Sequence, residues 1–208
     1  MTRLLIPNLR AMSMVLKQPL RRAFLVPVLV LAVNLTGCTC RDWMTEGECL
    51  PGPRIENAKP STEALGALAA ADGIVFAPSN PFVSIEPVLA LPIGGGAGGI
   101  VPSGKPRTIR DLVAGKAAIA VSPIVGGEAI KGPAAKMMLE LGLDVSPVGV
   151  ARRYAGTVSG FIMDEIDAAR APEVDALGLN VRTAQSIMRT DPDRESLARA
   201  CLELVGNL

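Results

Sequence analysis

The segment that most constrains the fold is residues 117–138, AAIAVSPIVGGEAIKGPAAKMM. Its first five residues, Ala117–Val121, are apolar and too few for a helix, so they predict a buried strand. The adjacent glycines Gly126 and Gly127 then form a loop that no bulky side chain obstructs. Lys131 and a Gly-Pro pair lead into good helix formers. This order predicts an anion pocket of an α/β fold, although the same glycines also suit a plain connection.

A second segment, residues 73–85, repeats this order in the sequence GIVFAPSNPFVSI. The polar residues Ser79, Asn80 and Ser84 follow its short apolar run, and Ser122 ends the first strand in the same way. Short polar side chains of this kind cap helix N-termini or hydrogen-bond to a phosphate. Two strands that both end in polar loops predict a crevice at the carboxyl edge of a parallel sheet.

The rest of the chain alternates between predicted strands and helices. The strands are predicted at 74–77, 117–121, 145–150, 161–163 and 179–182. The helices are predicted at 62–71 behind Ser61, at 134–141 before Gly142, and from Thr190 to near the end of the chain. Alternation of this kind is typical of a parallel sheet with flanking helices.

Asp164 directly follows the predicted strand 161–163 and is the candidate metal ligand. A carboxylate at a strand end can ligate Mg²⁺, directly or through water. An acidic residue at a helix start also complements the helix dipole, so the sequence leaves both interpretations open.

Composition excludes several functions. The 208-residue chain carries 21 basic and 20 acidic residues, so its charge gives no reason to expect a nucleic-acid partner. Aromatic residues make up only 3% of the chain, which leaves few platforms for stacking bases. The chain has no histidine, so histidine-based triads and histidine-ligated zinc sites are excluded.

Residues 1–53 differ in character from residues 54–208, and we treat them as a separate segment. Basic residues precede the apolar run 23–33, and the sequence LTGC then ends at Cys38. This is the pattern of a bacterial lipoprotein signal, in which Cys38 would carry the lipid anchor. Two alternatives stay open: a non-native start through a truncated or shifted reading frame, or an unusual buried segment.

Three long motifs carry a family resemblance: PSNPFVSI, SPIVGGEAIKGPAAKMM and GVARRYAGTVSGFIMDEID. Together they closely resemble the later part of the 2-phospho-L-lactate transferase family of coenzyme F420 biosynthesis, over roughly residues 54–208. The resemblance implies a Rossmann-like, mostly parallel sheet with flanking helices. The family's N-terminal strands and GGTGG-type loop have no counterpart in residues 1–53.

The resemblance also implies an activity. Such enzymes transfer a phospholactyl or phosphoenolpyruvyl group from a guanylyl-activated donor to the hydroxyl of the deazaflavin Fo. GMP leaves, and Mg²⁺ assists. The implied location is the cytoplasm, where nucleotides are made. A sheet without its first strands would expose apolar edges, so association with other chains is a hazard and a homo-oligomer stays an open alternative.

The residues implied for the donor's phosphates are Ser79, Asn80, Ser84, Ser122, Gly126, Gly127 and Lys131. In this interpretation backbone N–H groups hold the anion, and Lys131 neutralises charge on the leaving GMP. The sequence departs from the family at Glu86, where glycine is common, and at Arg153, where histidine is frequent. Two further interpretations stay open: an inactive fragment that lacks the glycine-rich loop, and an exported lipoprotein that binds a ligand without catalysis.

Overall fold

The computed structural model describes residues 58–93 and 107–208. Four parallel strands form its central sheet, in the order β1-β2-β5-β6. They are β1 Gly73–Phe76, β2 Ala117–Val121, β5 Gly160–Met163 and β6 Asn180–Thr183. A separate antiparallel hairpin pairs β3 Ile124–Val125 with β4 Glu128–Ala129. Because the four strands are parallel, all of them end at one edge, which we call the carboxyl edge.

Helices connect the strands. They are α1 Thr62–Ala70, a π-helical turn Pro81–Ile85 that continues into α2 Glu86–Leu89, α3 Ile109–Val113, α4 Ala134–Glu140, α5 Pro147–Tyr154, a 3-10 helix Glu165–Arg170 that continues into α6 Ala171–Asp175, and α7 Asp191–Gly206. The predicted α/β, Rossmann-like fold with a mostly parallel sheet is confirmed. The predicted boundary at residue 53 and the lipid-anchor residue Cys38 lie outside the described residues.

Polar caps fix where the helices begin. The Ser61 hydroxyl accepts a hydrogen bond from the Ala64 N–H at 3.1 Å and starts α1, as the sequence predicts. At α7 the Asp193 carboxylate accepts from the Thr190 N–H at 2.7 Å, and Thr190 accepts in return from the Asp193 N–H. This reciprocal capping box fixes the start of α7, the longest helix within residues 58–93 and 107–208.

The strand predicted at 145–150 is wrong, because this segment begins helix α5. The Ser146 hydroxyl accepts a hydrogen bond from the Gly149 N–H at 3.1 Å, and Pro147 occupies the first helical position. A Ser-Pro pair is a strong helix start. The apolar side chains of Val148 and Val150 are buried in the core, and a short buried run does not by itself distinguish a helix from a strand.

The two faces of the sheet carry separate apolar clusters, because successive residues of a strand point to opposite faces. Ala118, Ala120 and Phe161 belong to the larger cluster, with helices α4 and α5. The smaller cluster joins Ile119, Val121 and Ile162 to the buried side of α7. Cys201 lies in this second cluster, where burial raises its thiol pKa to about 12.

Candidate functional site

The carboxyl edge brings together the loops that follow β1, β2 and β5. β1 and β2 are direct neighbours, with Phe76 opposite Ala120. Beyond the strands, the Asn80 side-chain N–H donates to the Met137 sulfur in α4 at 3.4 Å. The Gly126 N–H donates to the Asp167 carboxylate at 2.9 Å and so joins the hairpin to the segment after β5. The two loops singled out from the sequence therefore share one edge of the sheet.

In the first loop, Asn80 acts as a helix cap. Its side-chain oxygen accepts hydrogen bonds from the N–H groups of Phe82 at 2.9 Å and Val83 at 3.4 Å. These contacts fix the start of the π-helical turn. Ser79 is half-buried and Ser84 is exposed, and neither side chain hydrogen-bonds to another residue of the described ranges. Their hydroxyls are the polar groups of this loop that a ligand can still use.

Ser122 is buried at the end of β2, and its hydroxyl is used within a tight turn. It donates to the Ile124 carbonyl at 2.8 Å and accepts from the Ile124 N–H at 3.1 Å. A hydroxyl with both local partners has little left to offer to a phosphate. The structure gives Ser122 a role in turning the chain from β2 into the hairpin.

Gly126 and Gly127 form the two-residue turn of the β3–β4 hairpin. Their φ angles are 59° and 81°, and Val125 pairs with Glu128 on either side. A two-residue hairpin turn with positive φ at both positions favours glycine, so the pair has a structural reason to be there. The turn is exposed, and the exposed side chain of Lys131 lies two residues beyond β4.

Asp164 is buried at the end of β5, and both of its carboxylate oxygens have protein donors. One oxygen accepts from the Ile166 N–H at 3.1 Å, and the other accepts from the N–H and the hydroxyl of Ser186, both at 2.8 Å. Burial alone would raise the pKa of Asp164, but the hydrogen bonds from Ser186 and Ile166 hold it below its ordinary value. Asp164 thus caps the 3-10 helix and anchors the loop after β6.

The described residues do not by themselves fit a magnesium site. Within 58–93 and 107–208, no group of three or more acidic or cysteine side chains could hold a metal ion. Asp164 already has protein donors on both oxygens, and Mg²⁺ commonly needs a carboxylate with an open oxygen. Asp164 as a metal ligand stays a prediction, and we derive no chemical step through Mg²⁺.

The structure also contains a cavity that the sequence did not reveal. Its volume is about 460 Å³, and none of the residues predicted for the donor site lines it. The lining residues are Glu86, Arg110, Leu143, Asp144, Gly149, Arg152 and Arg153. We call this space the arginine cavity. The sequence marked two of the lining residues, Glu86 and Arg153, as departures from the family, but it did not relate them to each other.

Glu86 is the centre of an ion-pair network at this cavity. Its two carboxylate oxygens are bound by the guanidinium of Arg110 at 2.5 Å and that of Arg153 at 3.3 Å. Arg153 also stacks over the Phe82 ring, at 5.0 Å from its centre. Arg110 further donates to the Thr157 hydroxyl at 2.6 Å. The acidic and basic residues that depart from the family pattern are therefore partners of each other.

No helix within the described ranges is long and apolar enough to cross a membrane. No protein-family model matches the chain.

Curated proteins do match. A phosphoenolpyruvate transferase of Streptomyces griseus is 38% identical over 163 residues, which is 76% of this chain and 46% of that protein. A 2-phospho-L-lactate transferase of Methanocaldococcus jannaschii is 34% identical over 151 residues, 73% of this chain and 43% of that protein. A third relative, the phosphoenolpyruvate transferase of Thermobifida fusca, is 34% identical over 155 residues, 74% of this chain and 42% of its own length. The chain thus spans less than half the length of these relatives.

Proposed function

We propose that this chain binds the phosphates of an activated three-carbon donor at its carboxyl edge. Its resemblance to the 2-phospho-L-lactate and phosphoenolpyruvate transferases, which is confirmed over three quarters of its length, supports this proposal. The names of the relatives support the transferred group, phospholactate or phosphoenolpyruvate. We further propose that the donor is guanylyl-activated, that the acceptor is Fo and that GMP is released. A cytoplasmic location and a homo-oligomeric state are also part of the proposal.

The observation that carries the proposal is the contact between the hairpin turn and Asp167. The Gly126 N–H points at a negatively charged oxygen at 2.9 Å, in an exposed position at the carboxyl edge. In this proposal a phosphate oxygen of the donor replaces the Asp167 carboxylate as the acceptor of the Gly126 N–H. Backbone N–H groups in turns are common phosphate ligands, because their dipoles point at the anion and hydrogen bonds to a charged acceptor are strong.

Lys131 is the cation proposed to act beside this N–H. Its side chain is exposed, and it has no salt-bridge partner within the described ranges. The flexible side chain of an exposed lysine can stay close to a phosphate while negative charge develops on that phosphate during transfer. In the proposed reaction the Fo hydroxyl oxygen forms a bond to the phosphorus of the transferred group. The bond from that phosphorus to GMP breaks, the hydroxyl proton passes to solvent, and Lys131 balances charge on the leaving phosphate.

Titration of the full chain with GDP and Mg²⁺ tests the donor site. We expect Lys131→Ala to weaken GDP binding about tenfold, because a charge-assisted contact to phosphate is lost. Lys136→Ala is the matched control, since Lys136 is an exposed lysine of α4 that lies 3.8 Å from Glu140. Equal GDP affinity in the wild type and in Lys131→Ala would remove Lys131 from the site.

An activity measurement separates the transferase from an inactive relative. The full chain is incubated with Fo, the guanylyl-activated donor and Mg²⁺, and the product is detected by mass. Formation of the phospholactyl or phosphoenolpyruvyl product together with GMP supports transfer. GDP binding without any product supports the alternative of an inactive fragment, because a phosphate site alone does not align donor and acceptor.

A further inference from the structure

The arginine cavity lies apart from the residues assigned to the donor site, and its charges are not fully used. Arg110, Arg152 and Arg153 line it together with two carboxylates, Glu86 and Asp144. A volume of about 460 Å³ falls within the range of pockets that hold small molecules.

The carboxylates already have partners. Glu86 is held by Arg110 and Arg153, as described above. Asp144 accepts from the Ser146 hydroxyl at 2.7 Å and from Arg170 at 3.0 Å. The Ser146 hydrogen bond, followed by the Arg170 contact, holds the pKa of Asp144 below its ordinary value, so this carboxylate stays charged. Glu86 therefore has a guanidinium partner on each oxygen, whereas both contacts of Asp144 are made by Oδ2, and its Oδ1 has no hydrogen-bond partner within the described residues.

The guanidinium groups, in contrast, have donors to spare. The Nε–H of Arg153 is buried and has no acceptor in the structure. Arg152 lies next to it in α5, is exposed, and forms no ion pair within the described part of the chain. A buried donor without an acceptor is unfavourable unless a ligand or water completes it. The Arg153 Nε–H and the guanidinium of Arg152 both line the cavity, and both can donate to an acceptor placed there.

We propose that the arginine cavity binds a compact oxyanion, the phosphate group of a small molecule, held by Arg152 and Arg153. A phosphate has enough oxygens to meet the N–H forks of two guanidinium groups at once. The net charge of the lining, three arginines against two carboxylates, favours an anionic ligand. Glu86 serves here as the fixed counter-ion that orients Arg153 toward the ligand.

The test is a titration of the full chain with inorganic phosphate, in the absence of nucleotide. We expect Arg152→Gln to weaken phosphate binding about tenfold, since one charge-assisted fork is lost. Arg199→Gln is the matched control, because Arg199 is an exposed arginine of α7 that pairs with Glu195 at 2.5 Å and does not line the cavity. Arg152→Lys keeps the charge without the fork and is expected to fall between wild type and Arg152→Gln.

Thermal unfolding without phosphate checks that each variant is folded, and Arg152 makes no contact whose loss should unfold the chain. Three results would overturn the proposal: no saturable phosphate binding by the wild type in the millimolar range, unchanged binding in Arg152→Gln, or an equal loss in Arg199→Gln. Lys131→Ala separates this site from the donor site. If Lys131→Ala alone abolishes phosphate binding, the anion lies at the carboxyl edge, which supports the proposed function and contradicts this inference.

Discussion

The carboxyl edge and the arginine cavity differ in how their polar groups are used. At the carboxyl edge half of the residues that the sequence singled out are bonded within the protein. Asn80 caps a helical turn, Ser122 closes a turn on Ile124, and Asp164 holds Ser186. In the arginine cavity an Arg153 N–H is left without an acceptor. A ligand that binds the Gly126 N–H must displace its contact with Asp167, whereas a ligand in the arginine cavity would complete a missing contact.

This difference shows that polar residues in βα loops commonly form hydrogen bonds within the protein. Asn, Ser and Asp side chains are short, and they satisfy nearby backbone groups before they meet any ligand. The hairpin turn differs in that its exposed backbone N–H, at Gly126, is held only by the Asp167 carboxylate, which lies 41 residues away in sequence. A long-range contact at an exposed N–H is easier to exchange for a ligand than a local cap. The two proposed sites therefore rest on the contacts that are not local.

The largest effect in this comparison is expected from Gly149→Ala at the arginine cavity. A Cβ at this position would lie 1.9 Å from the Asp144 carbonyl oxygen and 2.9 Å from the Met138 methyl group. The backbone before α5 must move to make room, so we expect a loss of about 3 kcal/mol or more in the free energy of unfolding. Urea denaturation measures this loss in the free energy of unfolding.

Gly126→Ala is the matched substitution at the carboxyl edge. Its Cβ would lie 3.5 Å from the Ile166 side chain, an ordinary contact, so the cost comes from the φ of 59° alone. We expect about 1–2 kcal/mol for a left-handed alanine. Equal losses in the two variants would mean that close packing does not distinguish the cavity wall from the hairpin turn.

The sequence predicted those parts of the fold that depend on local signals. Strand β2 has the predicted bounds, Ala117–Val121, and α1 begins behind Ser61 as expected. The segment before Tyr154 was mispredicted, because its apolar run was given more weight than the Ser146-Pro147 cap that starts a helix. Periodicity over so few residues is ambiguous, and in such cases the cap decides.

The candidate sites show a different limit. Residue types and motifs predicted which loops meet at the carboxyl edge, because parallel neighbours end together. They did not predict the arginine cavity, whose Glu86–Arg153 pair joins residues 67 positions apart. Both residues were visible as departures from the family, but nothing local in the sequence relates them. Only the packing of α5 beside the turn at Phe82 brings them together.

An effect of intermediate size is expected from Asp164→Asn. This substitution tests whether Asp164 is structural, as its three hydrogen bonds indicate. We expect a loss of about 1–3 kcal/mol in the free energy of unfolding near neutral pH, because a charged, buried acceptor is replaced. Glu165→Gln, at the exposed neighbouring position, should change stability by less than about 0.5 kcal/mol.

The pH dependence makes this test sharper. The pKa of Asp164 is lowered in the folded state, so its stabilisation is fully present above the unfolded pKa of about 3.9 and is lost as pH falls through the folded value. The variant should therefore lose less stability than wild type as pH falls below about 4. If Mg²⁺ raises the thermal stability of the wild type and this shift is absent in Asp164→Asn, the metal-ligand role regains support over the structural one.

The smallest effect is expected from Asp167→Ala, which tests directly whether the contact at Gly126 is exchangeable. Removal of the carboxylate frees the N–H and takes a negative charge away from the proposed donor site. We expect GDP and Mg²⁺ to bind about two- to fivefold more tightly, the range for an exposed charge interaction, with little change in stability. Asp175→Ala is the control, because Asp175 is an exposed carboxylate at the end of α6. Weaker GDP binding in Asp167→Ala would show that Asp167 assists the ligand, and identical binding in both variants would mean that the hairpin turn takes no part in holding an anion.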